Sequence, residues 1–142
     1  MSKQWVLLVD DEPALRTLFR IWLECRGHTA ITSVDGVQAL ALVNELGLPV
    51  AAVADLHMPQ MDGLTLCRRL KELDPGLPVI MVSAQIDALE AARAKGADAV
   101  LNKAAGMNAL CDAVDAALQA REDRTTLPRV GPVAQLVRAG DS

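Results

Sequence analysis

Tyrosine is absent from the 142 residues, and one Phe and two Trp are the remaining rings, so aromatic side chains make up 2% of the chain. Proteins that hold single strands or sugars by stacking need rows of aromatic faces, and that class is excluded. Positive charge is also scarce: 14 Lys and Arg stand against 18 Asp and Glu, for a formal charge of −4. No dense Lys/Arg run is present, and a surface that neutralises phosphates needs one, so no direct nucleic-acid partner is expected. The three cysteines, Cys25, Cys67 and Cys111, are far apart and form no C-x-x-C pair. They read as reduced thiols packed on helix faces, not as a zinc site or disulfide framework. No stretch approaches the roughly 18 apolar residues of a membrane helix, and Met1 to Trp5 has neither the basic start nor the apolar run of a signal peptide. A cytoplasmic protein without membrane contact is expected. Nucleotide-binding glycine motifs, G-x-x-x-x-G-K-[ST] and G-x-G-x-x-G, are missing too. Asp10-Asp11-Glu12 does not give the D-x-D spacing of aspartate-nucleophile phosphatases.

What the chain has in quantity is Ala, Leu and Val, within a hydrophobic content of 51%. Its length suits one domain. A short apolar run, a polar turn and a longer stretch of helical periodicity recur along it. Trp5 to Val9 is continuous and branched, as in a strand buried on both faces, and it stops at Asp10-Asp11-Glu12. Pro13 suits the first turn of a helix whose apolar face is expected from Leu15, Leu18, Phe19 and Trp22, with Gly27 at its end. Thr29 to Val34 is a less apolar strand nearer an edge, and Val37 to Leu46 a helix closed by Gly47 and Pro49. Val50 to Ala54 forms a third strand leading into Asp55 and the loop His57-Met58-Pro59-Gln60-Met61-Asp62-Gly63. A helix over 64–73, a strand over 78–82 ending at Ser83, a helix over 88–95, a strand over 99–101 ending at Asn102-Lys103 and a helix over 107–121 complete the pattern. Strands alternating with helices imply a parallel sheet covered on both faces.

In open α/β sheets the site forms outside the carboxyl ends of the strands. Those ends carry Asp10 and Asp11, Asp55, Ser83 and Lys103. Carboxylates about 4–5 Å apart repel by about 3–4 kcal/mol per pair at an effective dielectric near 20, so the cluster calls for a cation. Hard oxygen ligands favour Mg²⁺ over zinc or copper. One carboxylate acting as nucleophile toward phosphorus, with the Lys103 ammonium and the Ser83 hydroxyl on the phosphoryl oxygens, fits phosphoryl transfer. Spacing alone does not choose Asp55 over Asp10 as that nucleophile.

Asp10-Asp11, Asp55 with Met58-Pro59-x-Met61-Asp62-Gly63, Ser83-Ala84 and Lys103 resemble the receiver domain of bacterial two-component response regulators, over about residues 4–121. The resemblance implies a flavodoxin-like, doubly wound α/β fold, with a five-stranded parallel sheet in the order 2-1-3-4-5 between two layers of helices. It implies that Asp55 accepts a phosphoryl group from a phosphohistidine on a sensor histidine kinase or phosphotransfer protein. It further implies Mg²⁺ held by Asp11 and Asp55 side chains, the His57 backbone carbonyl and, through water, Asp10, with Ser83 and Lys103 on the phosphoryl oxygens. Such a protein catalyses only its own phosphorylation and dephosphorylation. It signals through an effector protein, or a homodimer, that engages the face of the fourth helix, fifth strand and fifth helix.

Residues 122–142 are expected to be a flexible tail without an output domain. Three positions depart from the family pattern. Ala104 stands where proline usually follows the lysine, Val100 where a switching aromatic is expected, and Ala105 where another apolar aromatic is common. Val100 and Ala104 favour a rival reading as a receiver-like interaction module that does not switch; the intact set of Asp10, Asp11, Asp55, Ser83 and Lys103 favours the switch. The His57 imidazole is expected to be an exposed loop side chain.

Overall fold

In the computed structural model, which describes residues 4–58 and 60–126, the first apolar run becomes β1 (Val6–Val9), buried at every position. It is followed by α1 (Pro13–Cys25), β2 (Ala30–Ser33), α2 (Gly36–Leu46), β3 (Ala51–Asp55) and α3 (Gly63–Leu73). Then come β4 (Val79–Ser83), α4 (Ile86–Ala94), β5 (Ala99–Asn102), a single 3-10 turn at Lys103–Ala105, and α5 (Met107–Thr126). The strands pair in parallel in the order β2-β1-β3-β4-β5, as the resemblance implies. The central β1, β3 and β4 are buried throughout, while the edges β2 and β5 are partly open, which is why their sequences are less apolar.

The two faces of each strand feed two cores, because successive side chains point to opposite sides. Val6, Leu8, Val53, Ile80 and Val82 pack with Phe19 and Leu23 of α1 and Leu110, Cys111 and Val114 of α5. Leu7, Val9, Ala52, Ala54 and Met81 pack with α2, α3 and α4 through Ala39, Val43, Leu66, Cys67, Leu70 and Ala92. Cys67 and Cys111 are buried packing residues, and burial pushes both thiols up from their ordinary pKa; Cys25 is exposed at the end of α1. Asp35 and Asp62 start α2 and α3 by accepting the Gln38 and Thr65 N–H groups, each at 2.8 Å.

Two expectations change. The inward face of α1 is Leu15, Phe19 and Leu23, whereas Leu18 and Trp22 are 45% and 37% exposed. Apolar residues at 15, 18, 19, 21, 22 and 23 offer two stripes at helical spacing, and the seat of α1 over β1 and β2, beside α5, selects the i, i+4 one. The last helix also runs to Thr126, beyond Arg121, where the apolar periodicity ends. Arg121 Nη2 donates to Asp74 Oδ2 at 2.7 Å, and Gln119 Nε2 to Asp123 Oδ1 at 3.0 Å, so polar contacts carry the last turns. The expected tail is thus helical over 122–126, and its remainder lies outside the described residues. No helix among those residues is long and apolar enough to cross a membrane.

Candidate functional site

The strands end on a common rim, and four of them end in the same way. Asp10, one residue past β1, accepts the Glu12 N–H on Oδ1 at 2.8 Å. At the end of β3 Asp55 accepts the His57 N–H on Oδ1 at 3.1 Å, and at the end of β4 Ser83 Oγ accepts the Gln85 N–H at 3.0 Å. At the end of β5 Asn102 Oδ1 accepts the Ala104 N–H at 2.8 Å. Each side chain thereby supplies the partner that the ladder no longer offers to the N–H two residues on, and this turns the chain out of the sheet. The parallel register then brings the ends together: Asp55 lies beside Val82, and Ser83 beside Asn102.

Asp10, Asp55 and Ser83 are 1%, 4% and 0% exposed, while Asp11 is exposed at the mouth of the site. One carboxylate oxygen from each of Asp10, Asp11 and Asp55 lies within 4.8 Å of the others, a set that could hold a metal ion. Lys103 reaches into it from the far side of the sheet: Nζ is 2.9 Å from Asp55 Oδ2, 3.2 Å from Glu12 Oε1 and 3.7 Å from Asp10 Oδ2. Burial works against the ammonium, but the hydrogen bond to Asp55 and the charges of Asp10, Asp55 and Glu12 outweigh it and raise the Lys103 pKa above the ordinary lysine range. Burial raises the Asp10 carboxyl from its usual value, against the opposing pull of the Glu12 N–H and Lys103. Two buried carboxylates beside an exposed third form a hard-oxygen set in need of more positive charge than one ammonium provides, so the residues present fit a divalent cation such as Mg²⁺.

The sequence-derived site residues Asp10, Asp11, Asp55 and Lys103 are therefore assembled, with Ser83 on the adjoining strand end. His57 contributes its backbone N–H to Asp55 while its imidazole faces solvent. The Lys103–Ala104 bond is trans, as are all described peptide bonds. Val100 is partly buried against the core shared by α2, α3 and α4. Sequence reasoning missed Glu12 as a partner of Lys103, Asn102 as the cap of the β5 turn, and the reason for Gly63. A Cβ at Gly63 would stand 2.5 Å from the Asp55 carbonyl oxygen and 2.9 Å from Leu56 Cα, so only glycine lets α3 begin this close to the end of β3. A donor-acceptor reading of Asn102 at position i against Ala104 at i+2 was the available signal for the β5 cap.

Residues 6–115 match the sequence profile of the response regulator receiver domain. The chain belongs to this family. As a receiver domain it is a component of two-component signalling. It is 34% identical over 116 residues to the transcriptional regulatory protein GlrR of Escherichia coli K12, covering 80% of this chain and 26% of that protein. With the DNA-binding response regulator MtrA of Mycolicibacterium smegmatis it shares 35% over 123 residues, 85% of this chain and 53% of the relative. The chain spans 26% to 56% of the length of these and similar curated relatives. Among solved structures, the receiver domain of NtrX from Brucella abortus superposes with a TM-score of 0.75 at 31% identity, covering 80% of this chain and 98% of that one. A CheY-like receiver domain protein from Methanospirillum hungatei gives a TM-score of 0.78 at 26% identity over 87% of this chain and 99% of its own.

A cavity of about 820 Å³ opens at the opposite, amino-terminal end of the strands, lined among others by Val6, His28, Pro49, Asp115 and Arg121. It shares no residue with the acidic rim, and its lining carries charges of both signs.

Proposed function

We propose that this receiver domain is a phosphorylation switch in which Asp55 takes a phosphoryl group from a phosphohistidine on a sensor kinase or phosphotransfer protein. The observation that supports this most is the convergence of buried Asp55 with Asp10, Asp11 and Lys103 at one rim. An Asp55 carboxylate oxygen attacks phosphorus in line with the P–N bond. That bond breaks, its electron pair stays on the imidazole nitrogen, and an acyl phosphate is left on Asp55. Lys103, already 2.9 Å from Asp55 Oδ2, exchanges this oxygen for one on the phosphoryl group. The Ser83 hydroxyl accepts the Gln85 N–H and so keeps its own proton to donate to a second. Exposed Ala84, with no side chain beyond Cβ, leaves the approach open. Asp11 and Asp55, the His57 carbonyl and, through water, Asp10 would hold Mg²⁺, which when bound neutralises part of the charge gathered at the rim. Return to the resting state follows when water attacks phosphorus, the P–O bond to Asp55 breaks and inorganic phosphate leaves.

Output from α4, β5 and α5 to an effector protein, or to a second copy of the chain, follows from placing Lys103 at the end of β5, which ties that face to the modified aspartate. The formal charge of −4 and the scarcity of basic residues favour a protein over nucleic acid as the direct partner of these residues, in the cytoplasm where two-component phosphodonors are found. Incubation with Mg²⁺ and acetyl phosphate followed by intact mass tests the reading. One phosphoryl adduct is expected, and its loss in Asp55→Asn. Absence of any adduct from acetyl phosphate or kinase donors would leave a receiver-like interaction module, the reading that Val100 in place of a rotating ring favours.

A further inference from the structure

The turn that carries Lys103 differs from the other three on the rim in one respect. At the ends of β1, β3 and β4 the residue that caps the turn is itself a site residue, Asp10, Asp55 or Ser83. Lysine cannot serve in that way, because its ammonium only donates. At the end of β5 the cap is supplied one residue earlier, by Asn102, and the lysine takes the first place within the turn. We propose that Asn102 is a positioning residue for Lys103, its side-chain carbonyl holding the peptide that aims the ammonium at Asp55. The proposal rests on the reading of Lys103 as the cation that binds the phosphoryl group.

No residue of this turn belongs to either core. β5 is an edge strand that is only partly buried, and the two residues after Lys103, Ala104 and Ala105, are exposed and carry only a methyl group each. Gly106, at a φ of 94°, ends the turn immediately afterwards. The contacts of Nζ with Asp55 and Glu12 fix the far end of a four-carbon stem, and the stem keeps several rotamers unless its backbone is also fixed. The bond of 2.8 Å from Ala104 N–H to Asn102 Oδ1 spans the Lys103 residue and restricts its φ and ψ together. It also requires a residue with an N–H at position 104, so Asn102 and Ala104 form a pair: proline at 104 would remove the donor.

The test uses the whole metal-free chain, labelled with ¹⁵N and with ¹³C-lysine, in Asn102→Ala and Asn102→Ser forms. Serine retains an oxygen that caps as Ser83 does. In Asn102→Ala, exchange of the Ala104 amide with water is expected to accelerate about tenfold, the loss of one hydrogen bond. The Lys103 Cε signal is expected to move toward those of the solvent-facing lysines, and both readouts are expected to stay near the parent in Asn102→Ser. Phosphorylation by acetyl phosphate with Mg²⁺ is expected to slow at least fivefold in the alanine form and less than twofold in the serine form. Unchanged Ala104 exchange and Lys103 signals in a folded Asn102→Ala protein would overturn the proposal. Should the alanine form unfold, Asn102→Leu, close in side-chain volume, carries the same expectation. Lys103→Ala separates the two ideas. If it is phosphorylated as fast as the parent, the phosphoryl-binding reading of Lys103 fails, while the metal-free spectra still decide what Asn102 does.

Discussion

Asp10 is 1% exposed and lies within 4.8 Å of two further carboxylates. Burial raises its pKa, so in the metal-free protein its ionised form opposes folding, and the opposition grows as pH rises through the folded value. Asparagine at this position keeps the oxygen that accepts the Glu12 N–H and removes the charge. Asp10→Asn is therefore expected to stabilise the metal-free protein by about 1 kcal/mol in urea denaturation at pH 7, a site residue kept at the expense of stability. Mg²⁺ at ten times its dissociation constant should stabilise the parent by about 1.4 kcal/mol, and Asp10→Asn and Asp55→Asn clearly less. An equal gain in all three proteins would place the cation elsewhere. The acidic residues and Lys103 were legible because each follows an apolar run. Glu12 was not, because the bond from Lys103 joins residues 91 positions apart.

α1 shows how far periodicity reaches. It placed a helix from Pro13 with Gly27 at its end, where the structure has Pro13–Cys25, but it could not decide which of two apolar stripes faces inward, since both repeat at three and four. The choice belongs to packing over the sheet, and it has a measurable consequence. Phe19→Ala, at 4% exposure, is expected to cost about 3–4 kcal/mol, while Leu18→Ala, at 45%, should change stability by less than about 0.5 kcal/mol. Denaturant midpoints with unchanged slopes would measure both, and equal losses would mean that the outer stripe is covered. At the other end of the chain, the last turn of α5 stayed hidden from the same periodicity because its contacts, Arg121 to Asp74 and Gln119 to Asp123, are polar.

Across the whole molecule, α1 and α5 are clasped at the end of the sheet away from the acidic rim. Arg26 Nη1 bridges Asp112 and Asp115 at 2.8 and 2.9 Å, and His28 Nε2 meets the other oxygen of Asp115 at 2.5 Å. Burial would raise the Asp115 carboxyl, but the hydrogen bonds from His28 and Arg26 prevail and hold it below the usual 3.8. A depressed carboxylate contributes stability above its unfolded value and loses it as pH falls through the folded one. The advantage of the parent over Asp115→Asn should therefore be present above the ordinary carboxylate value and be lost as pH falls through the depressed folded one. It should also shrink in 1 M salt, because the clasp is partly exposed. A pH-independent difference would assign Asp115 a packing role instead. Taken by itself, the sequence determined the alternation of strands and helices, and the identity of the rim residues, because apolar runs and their polar ends are local features. Only the tertiary structure decided which oxygens meet, which stripe of α1 is buried, and that Lys103 is shared by Asp10, Glu12 and Asp55. Those outcomes depend on strand order and register, which bring together residues from β1, β3, β4 and β5 that no local pattern connects.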